Sequence, residues 1–150
     1  MPPPTESGAS RIRESLNMTN IRAASRPPIT MIDSDADRLT NLAIGVEDRF
    51  PQVSELLLGE ISRAVVQPLD RVASDVVTMM SSVDFVDEET GAARSVQLVY
   101  PGEADIAAGK ISILTLIGAG LIGLRAGQSI DWPDRSGKAH KLRIEAVRQN

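Results

Sequence analysis

The sequence contains no cysteine, which removes disulfides, thiolate metal sites and a cysteine nucleophile together. Aromatic residues make up only 3% of it: Phe50, Phe85, Tyr100 and Trp132. The core must therefore be aliphatic, and a ligand pocket walled by several rings has little to be built from. His140 is the only histidine. With no second His and no Cys to share an ion, no metal site is expected, and His140 reads as an ordinary strand residue. Long apolar runs are missing too. The longest, Ile111 to Leu124, spans 14 residues and is interrupted by Ser112 and Thr115, short of the ~18 that a membrane span needs. No apolar h-region marks a signal peptide. Glu6, Glu14 and the prolines argue against a transit peptide despite Arg11, Arg13, Arg22 and Arg26. No membrane association is expected, and a reducing cytoplasm fits.

What is present is a chain of 150 residues, 42% hydrophobic, enough for one modest domain with extensions. The net charge of −4 is unevenly spread: residues 70–105 hold eight acids and two basic residues, and residues 106–150 hold seven basic residues and three acids. Phosphate binding needs Lys and Arg clustered on one face. Here they are interleaved with acids, so nucleic acid is expected to matter only indirectly, through a protein partner.

Residues 1–27 are rich in Pro, Ser, Arg and Asn, too poor in apolar residues to build a face, and read as a flexible tail. Order is expected from "PPITMID", with Ile29 to Ile32 extended. In "DSDADRLTNLAIGVEDRF", Ser34 and Asp37 resemble a capping arrangement, and acids crowd the first turn where the helix dipole favours them. Leu39, Leu42, Ala43, Val46 and Phe50 follow one helical face. Pro51 ends that helix and starts a second, whose stripe is Val53, Leu56, Leu57, Ile61, Ala64 and Val65. Two such helices across a tight break predict an antiparallel hairpin with arms of about 15 residues, or roughly 23 Å. Glu47 and Asp48 mark its tip. An exposed acid pair of this kind reads as solvated surface rather than a metal site.

After "QPLDR" the texture becomes that of strands: "DVVTMM", "SVDFV", the turn "DEETG" and "ARSVQLVY". A loop, "PGEADIAAG", leads to the strand "KISIL" and a short helix, "LIGAGLIGL". "QSIDW" and "AHKLRIEAV" follow, joined by "PDRSGK". His140, Leu142, Ile144 and Ala146 alternate with Lys141, Arg143 and Glu145, as in a sheet with one wet side. Asp87, Glu88 and Glu89 lack calcium-loop spacing and keep a turn soluble. The fold class is α+β: a short helical hairpin over residues 28–69, then an antiparallel sheet with one short helix over residues 70–150.

Gly118, Gly120 and Gly123 form a literal G-x-G-x-x-G after a strand. A dinucleotide site also needs a long crossover helix and an acid about 20 residues on. Here the helix stops near Leu124, a strand begins by Ser129, and no such acid follows. The glycines therefore read as a packing device that lets a short helix lie close to a sheet. No cofactor is expected.

These same residues, "GEADIAAGKISILTLIGAGLIGLRAGQSI", resemble the C-terminal domain of bacterial Gre-type transcription elongation factors, with its E-A-D, G-K-I-S and L-I-G pattern and an upstream acidic turn like "DEETG". "DVVTMMSSVDF", "VQLVYPGEADI" and the short helical hairpin resemble the Rnk subgroup, named as regulators of nucleoside diphosphate kinase. The resemblance implies an FKBP-like sheet domain. It also implies a partner, RNA polymerase, held at the rim of its secondary channel against a coiled coil of the β′ subunit. The implied contact is the loop Leu114, Thr115, Leu116 and Ile117, where the family carries a proline at the position of Leu116. In Gre factors a long coiled coil enters the channel with acids at its tip and supports transcript cleavage. The short arms here are expected not to reach the active centre.

The expectation is a monomeric, non-enzymatic, cytoplasmic regulator of elongation that binds polymerase without stimulating cleavage, the hairpin acting as probe or spacer. One rival is a prolyl isomerase of the same fold, which would need several rings in one pocket. Another is weak nucleic-acid binding through Arg135, Lys138, Lys141, Arg143 and Arg148.

Overall fold

The computed structural model of the chain describes residues 26–149. The tail expected over residues 1–27 lies outside them, apart from Arg26 and Pro27. Strand β1 (Thr30–Ile32) leads into helix α1 (Asp33–Gly45). Residues 46–50 link it to helix α2 (Pro51–Arg63), which begins on its proline as expected. The helix then gives way to strand β2 (Val65–Gln67), parallel to β1. Each helix has 13 residues, so each is about 20 Å long, shorter than the spacing of apolar residues predicts. The first helix starts at Asp33 with no side-chain cap. Ser34 sits inside its first turn, and the expected Ser34–Asp37 capping pair does not form.

The second half holds strands β3 (Ser82–Asp87), β4 (Ala92–Val99), β5 (Lys110–Ser112), β6 (Ser129–Pro133) and β7 (Ala139–Arg148), with helix α3 (Leu116–Leu121) between β5 and β6. They form one sheet in the order β5-β4-β3-β7-β6. All pairs are antiparallel except β4 with β5. That exception follows from the connection: two short 3-10 turns, Pro101–Glu103 and Ile106–Ala108, carry the chain back to the start of β5. A shift of register between Asp84 and Phe85 kinks β3 against β7.

"DVVTMM" is not a strand. Thr78 and Ser81 bond to each other through backbone and hydroxyls, and Met80 takes a positive φ of 71°, so the chain turns where a ladder would have to continue. Val77 pairs instead with the end of α3: its amide donates to Leu124 and its carbonyl accepts from Gly123, at 2.8 and 2.9 Å. In β7, Leu142 and Ile144 are buried as the alternation predicts.

Helices and sheet share one core. Leu39, Ala43 and Leu57 from α1 and α2 cluster with Val83, Leu98, Ile113, Leu121, Ile130 and Leu142, each large side chain contributing about 1.5–3 kcal/mol on burial. An ionic clasp closes the helical end. Glu60, 1% exposed, accepts two bonds from Arg63 at 2.9 and 2.7 Å, while Arg26 lies 3.6 Å away and also stacks on Trp132.

The three glycines of the G-x-G-x-x-G each meet a close neighbour. A Cβ on Gly118 would collide with the carbonyl of Ser112, and one on Gly120 would come within 2.9 Å of three Trp132 ring atoms. Gly123 has φ +85°, with Ile29 2.9 Å from where its Cβ would stand. These are packing positions: they let α3 lie on β6 and let its end turn under β1.

Candidate functional site

A cleft of about 1060 Å³ opens between the start of α2, the loop before α3, and the β6–β7 hairpin. Its apolar lining comes from Phe50, Pro51 and Val53 on one side, Leu114, Leu116 and Ile117 on another, and Trp132, Pro133 and Leu142 beneath. Gln52, Asp87, Thr115, Asp134, Arg135 and His140 supply its polar groups. All four loop residues singled out in the sequence therefore lie on this cleft.

The loop is held rigidly. Thr115 caps α3: its hydroxyl accepts from the Gly118 amide at 3.0 Å and donates to the Ser112 carbonyl at 2.7 Å. The Ser112 hydroxyl accepts from the Leu114 amide at 2.9 Å. The carbonyl of Leu116 accepts the indole N–H of Trp132 at 2.7 Å. Leu116 is the first residue of α3, where the backbone N–H has no helical partner and a proline fits.

The expected hairpin tip divides. Glu47 and Asp48 are exposed and do not line the cleft. Among the described residues no group of three His, Cys, Asp or Glu is placed to hold a metal ion. The end of the same link, Phe50 to Val53, folds over the cleft, and the Gln52 amide reaches the carbonyl of Asp134 at 3.4 Å. Phe50, read from periodicity as a core residue of the first helix, lies outside it and is 45% exposed. Ile44, 51% exposed, adds a second apolar side chain near the helix ends.

Sequence reasoning missed the polar end of the cleft. His140 is no ordinary strand residue: Nδ1 lies 2.9 Å from Asp87 Oδ2 and Nε2 lies 2.8 Å from Asp134 Oδ2. The hydrogen bonds to Asp134 and then to Asp87 raise its pKa above 6.5. Bonds from Ser136 first, and from His140 second, hold Asp134 well below the usual carboxylate range. Only the topology brings these three together, from the ends of β3, β6 and β7.

The rival chemistries find less here. Phe85, Tyr100 and Trp132 are not gathered in one pocket: Phe85 is core, beneath Arg94, and Tyr100 lies against Arg38 of α1. Three of the basic residues proposed for phosphate contact are engaged by acids. Arg143 pairs with Glu88 and Glu145, Arg148 with Asp84, and Lys138 with Glu89. The turn acids Asp87, Glu88 and Glu89 thus each hold a partner. Among the described residues, no helix is long and apolar enough to cross a membrane.

Residues 72–149 match the family described as transcription elongation factor, GreA/GreB, C-term, and residues 27–66 match the one described as Rnk N-terminus. The chain is 34% identical over 120 residues to the regulator of nucleoside diphosphate kinase of Escherichia coli (strain K12), covering 80% of this chain and 88% of that protein. Over 72 residues it is 39% identical to transcription elongation factor GreA of Azorhizobium caulinodans, covering 48% and 46% of the two. A solved prokaryotic transcription elongation factor GreA/GreB from Nitrosomonas europaea is 36% identical, with a TM-score of 0.64 over 82% of this chain and 99% of that one.

Proposed function

The chain belongs to the GreA/GreB transcription elongation factor family, with an N-terminal part of the Rnk type, and we propose that it regulates elongation by docking on RNA polymerase through the cleft. The partner is the coiled coil of the β′ subunit at the rim of the secondary channel. Residues 28–69 are the short helical hairpin of this arrangement, residues 70–150 its FKBP-like docking domain, and residues 1–27 a tail. The chain acts as a monomer and binds without catalysis and without stimulating transcript cleavage.

The observation that carries the reading is the convergence of Leu114, Leu116 and Ile117 with Phe50 and Val53 on one open apolar cleft. A helical projection has the width to enter a groove of this kind and present apolar side chains to both walls. The loop is fixed by Thr115 and Trp132, so little ordering cost opposes association. Against cleavage stands length: helices of 13 residues rise only about 20 Å, and they are packed into the common core instead of projecting from it.

The test is capture of purified RNA polymerase by the immobilised chain, wild type beside Leu116→Asp. Retention by the wild type and loss in a folded Leu116→Asp variant is the expected result. Equal retention by both would remove the loop from the contact.

A further inference from the structure

The polar end of the cleft is built around a single proton. Asp87 and Asp134 divide their oxygens in the same way. Each uses Oδ1 to hold its own turn: Asp87 accepts from the Glu89 amide at 2.9 Å, and Asp134 accepts from the Ser136 amide, the Ser136 hydroxyl and the Lys138 amide at 2.8, 2.6 and 3.0 Å. Each turns Oδ2 to His140, at 2.9 and 2.8 Å. One imidazole ring thus ties the β3–β4 turn to the β6–β7 turn. The second of these also receives Gln52 from the start of α2 through the carbonyl of Asp134.

Both ring nitrogens face carboxylate oxygens, which only accept hydrogen bonds. An imidazolium donates to both. A neutral ring donates to one and sets a lone pair against the other, so loss of the proton must release a carboxylate. Asp134 is fixed by four bonds and Asp87 by two, so Asp87 is the one released. The other charged group lining the cleft is Arg135. The Phe50–Val53 and Leu114–Ile117 walls contribute no titratable side chain. Just outside, Glu89 pairs with Lys138, and Arg143 with Glu88 and Glu145.

We propose that His140 is a positioning residue whose proton pins the polar wall of the cleft, so that partner docking weakens when that proton is lost. The proposal rests on the docking reading above and adds its regulation. Since the two carboxylates raise the ring's pKa above 6.5, the pin holds to a higher pH than a free imidazole would and is released as pH rises through the raised value.

The chain carries its own reporter. Its single tryptophan, Trp132, is the ladder partner of its single histidine, and a charged imidazolium beside an indole quenches its fluorescence. The experiment follows His140 ring resonances, the amides of Glu89, Ser136 and Lys138, and Trp132 emission as pH is raised from the acid side, then polymerase affinity at the same pH values. All four readouts are expected to share one midpoint above 6.5, with affinity falling about fivefold, the value of one charge-assisted hydrogen bond partly transmitted. Asp87→Asn keeps an oxygen for the Glu89 amide and removes one carboxylate, so it should lower the midpoint of every readout together. His140→Gln should bind with reduced, pH-independent affinity.

A ring midpoint at or below 6.5, or turn amides that ignore it, overturns the pin whatever the partner does. Binding that persists with flat affinity while the ring titrates overturns its link to docking alone. No binding at any pH, with the titration intact, overturns the docking reading and the regulation built on it.

Discussion

The indole nitrogen of Trp132 donates to the carbonyl of Leu116 across 2.7 Å, tying the loop that opens α3 to the strand beneath it. Trp132 is 1% exposed, with Gly120 against its ring and Arg26 stacked 4.9 Å from its centroid. One residue therefore sets the height of the cleft wall. Trp132→Phe keeps much of the volume and removes the donor, so the Leu116 carbonyl keeps only its place in the helix and loses its tie to β6. Urea unfolding should show a loss of about 0.5–1.5 kcal/mol, and the variant should bind polymerase more weakly.

The backbone geometry at position 116 accepts either leucine or proline. Leu116 is the first helical residue, and Thr115 before it has φ −99° and ψ 160°, the extended conformation that a following proline requires. Leu116→Pro should change stability by no more than about 1 kcal/mol, and in the stabilising direction, because it restricts only the unfolded chain. Thermal unfolding checks this; a marked fall in Tm would show that the amide or the side chain at 116 is needed for folding.

Gly118 faces a backbone atom, which cannot step aside as a flexible side chain would. Gly118→Ala sets a methyl group against the Ser112 carbonyl and should cost about 2 kcal/mol, although alanine is the better helix former. A Gly118→Ala protein as stable as the parent would contradict the close approach of α3 to β5.

The pH dependence of folding has two limbs of opposite sign. Asp134 and Asp84 have pKa values lowered in the folded chain, Asp84 chiefly by Arg148 and then Ser95. Their contributions are present above 3.8 and are lost as pH falls through the lowered folded values. The pKa of His140 is raised, so its contribution is complete below 6.5 and is lost as pH rises through the folded value. Urea midpoints against pH should therefore fall at both ends, with Asp134→Asn flattening the acid limb and His140→Gln the alkaline one. An alkaline limb that survives His140→Gln would assign it to another group.

Local chemistry made much of the fold legible. Pro51 started its helix, the alternation of Leu142 and Ile144 gave the buried face of β7, and the glycine spacing, with no room for a crossover, pointed to packing. "DVVTMM" misled because its β-branched residues favour a strand, while a hydrogen-bonded Thr78–Ser81 turn and a left-handed Met80 override that propensity. Phe50 fitted the helical period but falls beyond the helix, on the cleft. The loop Leu114 to Ile117 stood out through family resemblance. The other walls did not, because Phe50, Asp87, Asp134 and His140 are separated by up to 90 positions in the chain and meet only through the order of the strands. The one available signal was a lone histidine with an aspartate in each neighbouring turn.

If the cleft grips the polymerase feature that GreA-type factors use, this chain and GreA compete for one site. The direct measurement is displacement: a labelled GreA bound to RNA polymerase, titrated with this chain and with its Leu116→Asp variant. Full displacement by the wild type is expected, with at least about tenfold more of the variant required, as when an apolar anchor at an interface is lost. GreA that stays bound at saturating wild-type chain would contradict competition for one site.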